Sequence, residues 1–203
     1  MELTHVDVYR RIYAAASLEG RAVRDHAPTP TGLEPGEETE IAVRDWLLAA
    51  AAESEEVACR DWKQCGVALL RCGSLFCSVR ISAQLVHAAA GATEPNEVDA
   101  YLARALLGGL VFTDRTCSRY YALVRRGVGD EHRWKAHDPH AVGLSAGSFL
   151  GVPDPACIYP YDRASYWCVP VKGPSTLCTP SAVEQLIVHG RFLLAAEDRR
   201  ADA

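Results

Sequence analysis

The stretch Gly66-Val-Ala-Leu-Leu-Arg71, Cys72-Gly-Ser74, Leu75-Phe-Cys-Ser-Val-Arg-Ile81 decides the fold. Its first part is a short apolar run, its middle is turn chemistry, and its last part alternates. Leu75, Cys77, Val79 and Ile81 fall on one face, and Ser78 and Arg80 on the other. That pattern is a half-buried strand, so residues 66–81 are predicted to form a β-hairpin.

On the C-terminal side, Ser82 is placed to cap a helix over 83–90 that Gly91 ends. Val98, Tyr101, Leu102, Ala105 and Leu106 then recur with helical period, and Gly108-Gly109 stops them. Leu110–Thr113 and Arg119–Val124 are predicted as a second hairpin around Asp114-Arg-Thr-Cys-Ser118. Residues 125–146, polar and rich in Gly, His and Asp, read as a long loop. Ser148–Val152 and Tyr166–Val169 are further strands, separated by Pro153, Pro155 and Pro160. Thr179, with Pro180 at the first helical position, opens a last helix that Gly190 is expected to stop. On the N-terminal side, residues 4–25 read as a helix. Pro28, Pro30, Gly32, Pro35 and Gly36 then form a connector. A second, alanine-rich helix carries Ile41, Val43, Trp46 and Leu47, with Glu37, Glu38 and Glu40 at its positive end.

This order is not the alternation of a βαβ protein. The expectation is α+β, a mostly antiparallel sheet covered by helices, with an N-terminal helical pair. Residues 1–60 would be an extension, 61–195 the core domain and 196–203 a frayed charged tail. A chain of 203 residues with 49% hydrophobic residues suffices for one real core. The formal charge of −5 and isoelectric point near 5.8 argue against a duplex-coating protein, whose affinity comes from phosphate neutralisation. No apolar run approaches bilayer length and no secretory h-region follows Met1, so a cytoplasmic protein without membrane association is expected. The eight cysteines include no C-x2-C pair. They are expected to be reduced and mostly to fill the core as small hydrophobes.

The segment from about Cys65 to Arg191 resembles a group of uncharacterised actinobacterial proteins. The likeness rests on Cys65-Gly-Val-Ala-Leu-Leu70, Phe76-Cys-Ser-Val-Arg80, Arg119-Tyr-Tyr-Ala-Leu-Val124, Trp134, Phe149-Leu-Gly-Val-Pro153 and the block from Tyr166-Trp-Cys-Val-Pro170 to Leu177-Cys-Thr-Pro180. Related architecture resembles the N-terminal scaffold of bifunctional DNA primase/polymerase proteins of mobile elements. Active members of that group need two close acidic residues on a strand to hold two metal ions. The matching strand, Leu75–Ile81, has no carboxylate, no Ser-x-His lies near it, and Asp114 stands alone in a turn. The resemblance therefore implies the scaffold without its acidic motif.

Two constellations remain. Arg80, Arg119, Arg125, Arg126, Arg133, Lys135 and Lys172, with Trp134 and Trp167, make a candidate cationic–aromatic surface of the kind that stacks single-stranded bases. His132, His137, Asp138 and His140 make a candidate metal set, three imidazoles and a carboxylate in one loop, suited to a divalent ion such as zinc. Cys178 precedes a helix N-terminus, which lowers a thiol pKa, but a buried cysteine packing under the Gly-Pro loop is the preferred reading. His189 lies at the far end of that helix, about 15 Å away at ~1.5 Å per residue, and cannot be its base. The reading that follows is a non-catalytic binding or accessory module, without cofactor, for nucleic acid or a partner protein. The alternative is a metal-assisted enzyme built on the histidine loop.

Overall fold

The computed structural model describes residues 35–128, 138–160 and 163–201. Its elements, in chain order, are α1 (Pro35–Leu48), α2 (Glu55–Cys65), β1 (Val67–Arg71), β2 (Phe76–Ser82), α3 (Ala83–Ala90), α4 (Pro95–Ala105), β3 (Val111–Asp114), β4 (Arg119–Arg125), β5 (Ala141–Leu144), β6 (Phe149–Pro153), β7 (Ser165–Trp167) and α5 (Pro180–Ala201). The fold is α+β. The helix expected over 4–25 lies outside the described residues.

A five-stranded antiparallel sheet in the order β5-β2-β4-β3-β7 forms the middle layer. Successive side chains point to opposite faces of a strand, so one face presents Cys77, Val79, Ile81, Val111, Tyr120, Ala122, Val124 and Tyr166. Helices α3, α4 and α5 cover this face through Leu85, Val86, Val98, Leu102, Val183, Leu186 and Ile187, all buried. The opposite face presents Phe76, Phe112, Tyr121, Leu123 and Trp167 to a second core. That core is closed by α1, α2 and a small sheet of β1 paired with β6.

The hairpin predicted over 66–81 is therefore not formed. β1 and β2 follow one another through a tight turn, with Gly73 N donating to Phe76 O at 2.7 Å. They then part into different sheets. β2 has both edges filled, by β4 and β5. β1 pairs along one edge with β6 from Val67↔Pro153 to Arg71↔Phe149. Its other edge meets the segment after α1, with Ala52 N donating to Leu69 O at 3.0 Å and Arg71 N to Ala50 O at 2.7 Å. Apolar alternation specifies which face of a strand is buried, not which strand lies beside it.

Residues 35–60 belong to the second core rather than to an appendage. Val43 and Leu47 of α1 are fully buried in it. Pro35, expected in the connector, opens α1, where its missing N–H costs nothing. α2 was not foreseen, although its signals are ordinary: Ser54 Oγ accepts from Val57 N, Glu55 and Glu56 fill the first turn, and Gly66 closes the helix at φ 74°. Trp62 locks it down by donating its indole N–H to Val152 O at 2.9 Å. Arg44 of α1 spans the layer to Asp154 at 2.7 Å and lies 5.8 Å from the Trp62 ring centroid.

The helices over 83–90 and 95–105, the hairpin of β3 and β4, and the strands β6 and β7 lie where they were expected. β5 lies inside the expected loop 125–146, and Gly190 does not stop α5, which runs on through the expected frayed tail to Ala201. Gly190 is instead where α3 crosses α5. A Cβ there would stand 2.6 Å from both Leu85 Cδ2 and Leu85 O.

Candidate functional site

Register places a polar row across one end of the five-stranded sheet. Ser82 of β2 opposes Arg119 of β4, Arg119 opposes Asp114 of β3, and Asp114 opposes Ser165 of β7. Two residues inward, on the same face, Arg80 stands between Val142 and Tyr121, in the same row as Phe112 and Trp167. Arg80 is thus a cation in a row that is otherwise apolar and aromatic. It is half-buried, and among the described residues its guanidinium has no hydrogen-bond or ion-pair partner.

The β3–β4 turn organises this end. Asp114 is 2% exposed, and its Oδ1 accepts from Thr116 N at 3.0 Å and Cys117 N at 3.3 Å. This is the Asx turn that an Asp before a tight reversal favours. It presents Cys117 on the surface. Burial pushes the Cys117 thiol up and Asp114 adds to this, while Arg119 and Arg80 both act to lower it. Two guanidinium groups from adjacent strands therefore lie close to one thiol. The net direction is upward, so Cys117 is not an activated nucleophile. Beside this group Ser82 Oγ accepts from Leu85 N at 3.3 Å, capping α3, and lies 3.0 Å from His140 Nδ1.

Of the predicted metal set, His132 and His137 lie outside the described residues. The other two members are engaged by their own chain. Asp138 Oδ1 accepts from His140 N at 2.8 Å and Ala141 N at 3.1 Å, and Oδ2 pairs with Arg191 of α5. These bonds fix the start of β5, and His140 turns toward Ser82. Among the described residues no group of three or more His, Cys, Asp or Glu side chains is placed to hold a metal ion.

The predicted cationic–aromatic surface is dispersed. Arg133, Trp134 and Lys135 lie outside the described residues. Trp167 is 1% exposed and donates its indole N–H to Pro153 O at 3.2 Å, so no ring face is open to a base. Arg125 and Arg126 are exposed at the other end of β4, about 20 Å from Arg119 at ~3.3 Å per residue. Lys172 is exposed in the loop before α5, beside Gly108. What the fold brings together from that set is Arg80 and Arg119. Cys117, Asp114 and Ser82 were not singled out beside them, because only the cross-strand register makes them neighbours.

The thiol expectations also resolve. No cysteine among the eight is in a disulfide, and Cys72, Cys77, Cys168 and Cys178 are buried. Cys178 does not gain thiolate character from the helix that follows it. Burial pushes it up to about 12, and its Sγ donates to Leu110 O at 3.4 Å. An open groove on the outer side of α2 mixes Glu55 and Glu56 with Arg60 and Lys63, so it presents no field of one sign. Among the described residues no helix is long and apolar enough to cross a membrane.

No family model, no curated protein and no solved structure matches the chain.

Proposed function

We propose that the chain is a non-catalytic binding module that takes the phosphates of single-stranded nucleic acid at the Arg80–Arg119 end of its sheet. The observation that carries this reading is Arg80. A partly buried guanidinium in an aromatic row, with no hydrogen bond or ion pair to the described residues, is costly unless an anion pairs with it. Arg119 beside it supplies a second cation, and a guanidinium fork matches phosphate oxygens. The acidic formal charge of −5 limits non-specific attraction, so affinity must come from few contacts. The resemblance to a mobile-element replication scaffold lacking its acidic motif agrees with binding without nucleotidyl transfer.

Fluorescence anisotropy with a labelled single-stranded oligonucleotide at low salt tests this. Two phosphate contacts on a single strand predict a log–log salt slope of about −1.4. Arg80→Ala with Arg119→Ala is expected to abolish that slope, while Arg125→Ala with Arg126→Ala leaves it in place. No binding at micromolar protein, or an unchanged slope in the Arg80/Arg119 variant, defeats the proposal.

A further inference from the structure

The outer edge of β7 carries an exposed aromatic ring. β7 is the last strand in the order β5-β2-β4-β3-β7, and the chain leaving β6 runs along its outer side, with Trp167 N donating to Cys157 O at 2.7 Å. The next two residues of that segment are Ile158, 37% exposed, and Tyr159, 62% exposed. Trp167 itself is consumed by the second core, so Tyr159 is the ring that this side of the sheet offers to solvent.

The segment is tied down on both sides of the exposed pair. Before it, Cys157 N donates to Asp154 O at 2.8 Å, and Ala156 N donates to Asp154 Oδ1 at 3.1 Å. After it, Arg115 of the β3–β4 turn donates from Nη1 to Pro160 O at 2.6 Å. The Arg115 backbone N–H reaches Ala164 O at 2.9 Å. Pro155 and Pro160, both buried, fix φ on either side. The turn that holds this segment is the one that leads into Arg119, so one structural unit positions both the second cation and Tyr159. Three strand spacings separate the backbone of β4 from the segment, about 14 Å at ~4.8 Å each.

We propose that Tyr159 is the stacking platform for a base of the same single strand whose phosphates meet Arg80 and Arg119. This rests on the phosphate reading of those two arginines and supplies the base contact that the reading needs. Phosphate contacts alone carry no information about bases. An exposed ring does select for them, because every unpaired base offers a π-face, whereas a duplex keeps its bases stacked inside. A tyrosine has only two side-chain torsions, and its backbone here is already fixed, so little freedom is lost when a base lies on it. A separation of about 14 Å falls within a single-strand site of several nucleotides. The ligand class is therefore an unpaired strand with accessible bases, bound without sequence preference.

Fluorescence anisotropy on the full chain compares a labelled single-stranded oligonucleotide with an abasic strand of the same length and charge. Tyr159→Ala is expected to weaken binding of the base-bearing strand by about 5- to 150-fold and to leave the salt slope unchanged. On the abasic strand the variant is expected to match the wild type. Tyr159→Phe keeps the ring and is expected to bind both strands as the wild type does. Because Tyr159 is exposed, neither substitution removes core packing. Wild-type affinity of Tyr159→Ala for the base-bearing strand, the same loss on both strands, or a Phe variant as weak as the Ala variant overturns the platform. In those cases an intact salt slope leaves the phosphate site standing. No binding of either strand by the wild type at micromolar protein removes both.

Discussion

Gly190→Ala offers the sharpest test of how the helical layer is packed. In an isolated helix the change is favourable, because alanine exceeds glycine by about 1 kcal/mol in a helix interior. In this protein α3 lies against α5 at that residue. The new Cβ would stand 2.6 Å from Leu85 Cδ2, 2.8 Å from Leu85 Cγ and 2.6 Å from Leu85 O. A flexible side-chain end can turn away from such a contact, but a backbone carbonyl cannot, so the two helices have to separate by most of an ångström. Leu85 is itself fully buried against the sheet, which leaves α3 no free direction in which to move. Overpacking of this kind costs about 1–3 kcal/mol, and a backbone clash belongs at the upper end. After subtracting the propensity gain, a net loss of about 2 kcal/mol is expected. For a chain of this size that lowers Tm by about 4–8 °C. Urea and thermal denaturation followed by far-ultraviolet circular dichroism measure it. Gly173→Ala is the control. Its Cβ would meet only Thr176 Oγ1 at 3.7 Å, so it should be neutral or stabilise by up to about 1 kcal/mol. An unchanged or raised Tm for Gly190→Ala would refute the close crossing, and Gly190 would then be a glycine of no structural consequence.

Other substitutions separate the roles assigned above. Ser82→Ala removes the α3 cap and the partner of His140, and should cost about 1–2 kcal/mol in denaturant unfolding. Asp138→Ala loses two backbone bonds as well as the ion pair and should cost more than Arg191→Ala, a half-exposed pairing worth less than about 1 kcal/mol; equal losses would mean that the turn bonds contribute nothing. Trp62→Phe keeps an aromatic ring but leaves Val152 O without its indole donor, and a loss of about 1–3 kcal/mol is expected.

Much of the helical layer is legible from local chemistry. Ser82 and Gly91 bracket α3 because a hydroxyl cap and a left-handed exit act over one turn each. The β3–β4 hairpin is announced by Asp114 and its Asx turn. The arginines were legible as cations, but their grouping was not. Arg119 and Arg125 sit six residues apart on one strand and serve opposite ends of the sheet, whereas Arg80 and Arg119 are distant in sequence and become diagonal neighbours through the β2–β4 register. Trp167 illustrates the same limit from the other side, since an aromatic residue that looks suited to stacking is consumed by the second core.

Alone, the order of amino acids determined where α3, α4, β3 and β4 lie, which faces are apolar, and that the class is α+β, because period, caps and turn residues act over a few positions. The three-dimensional arrangement decided that β1 leaves β2 for β6, that α3 crosses α5 at Gly190, and that Arg80 and Arg119 share one end of the sheet near Cys117. Those outcomes depend on which distant surfaces fit together, and neither strand pairing nor the approach of two helices leaves a mark in any short stretch of sequence.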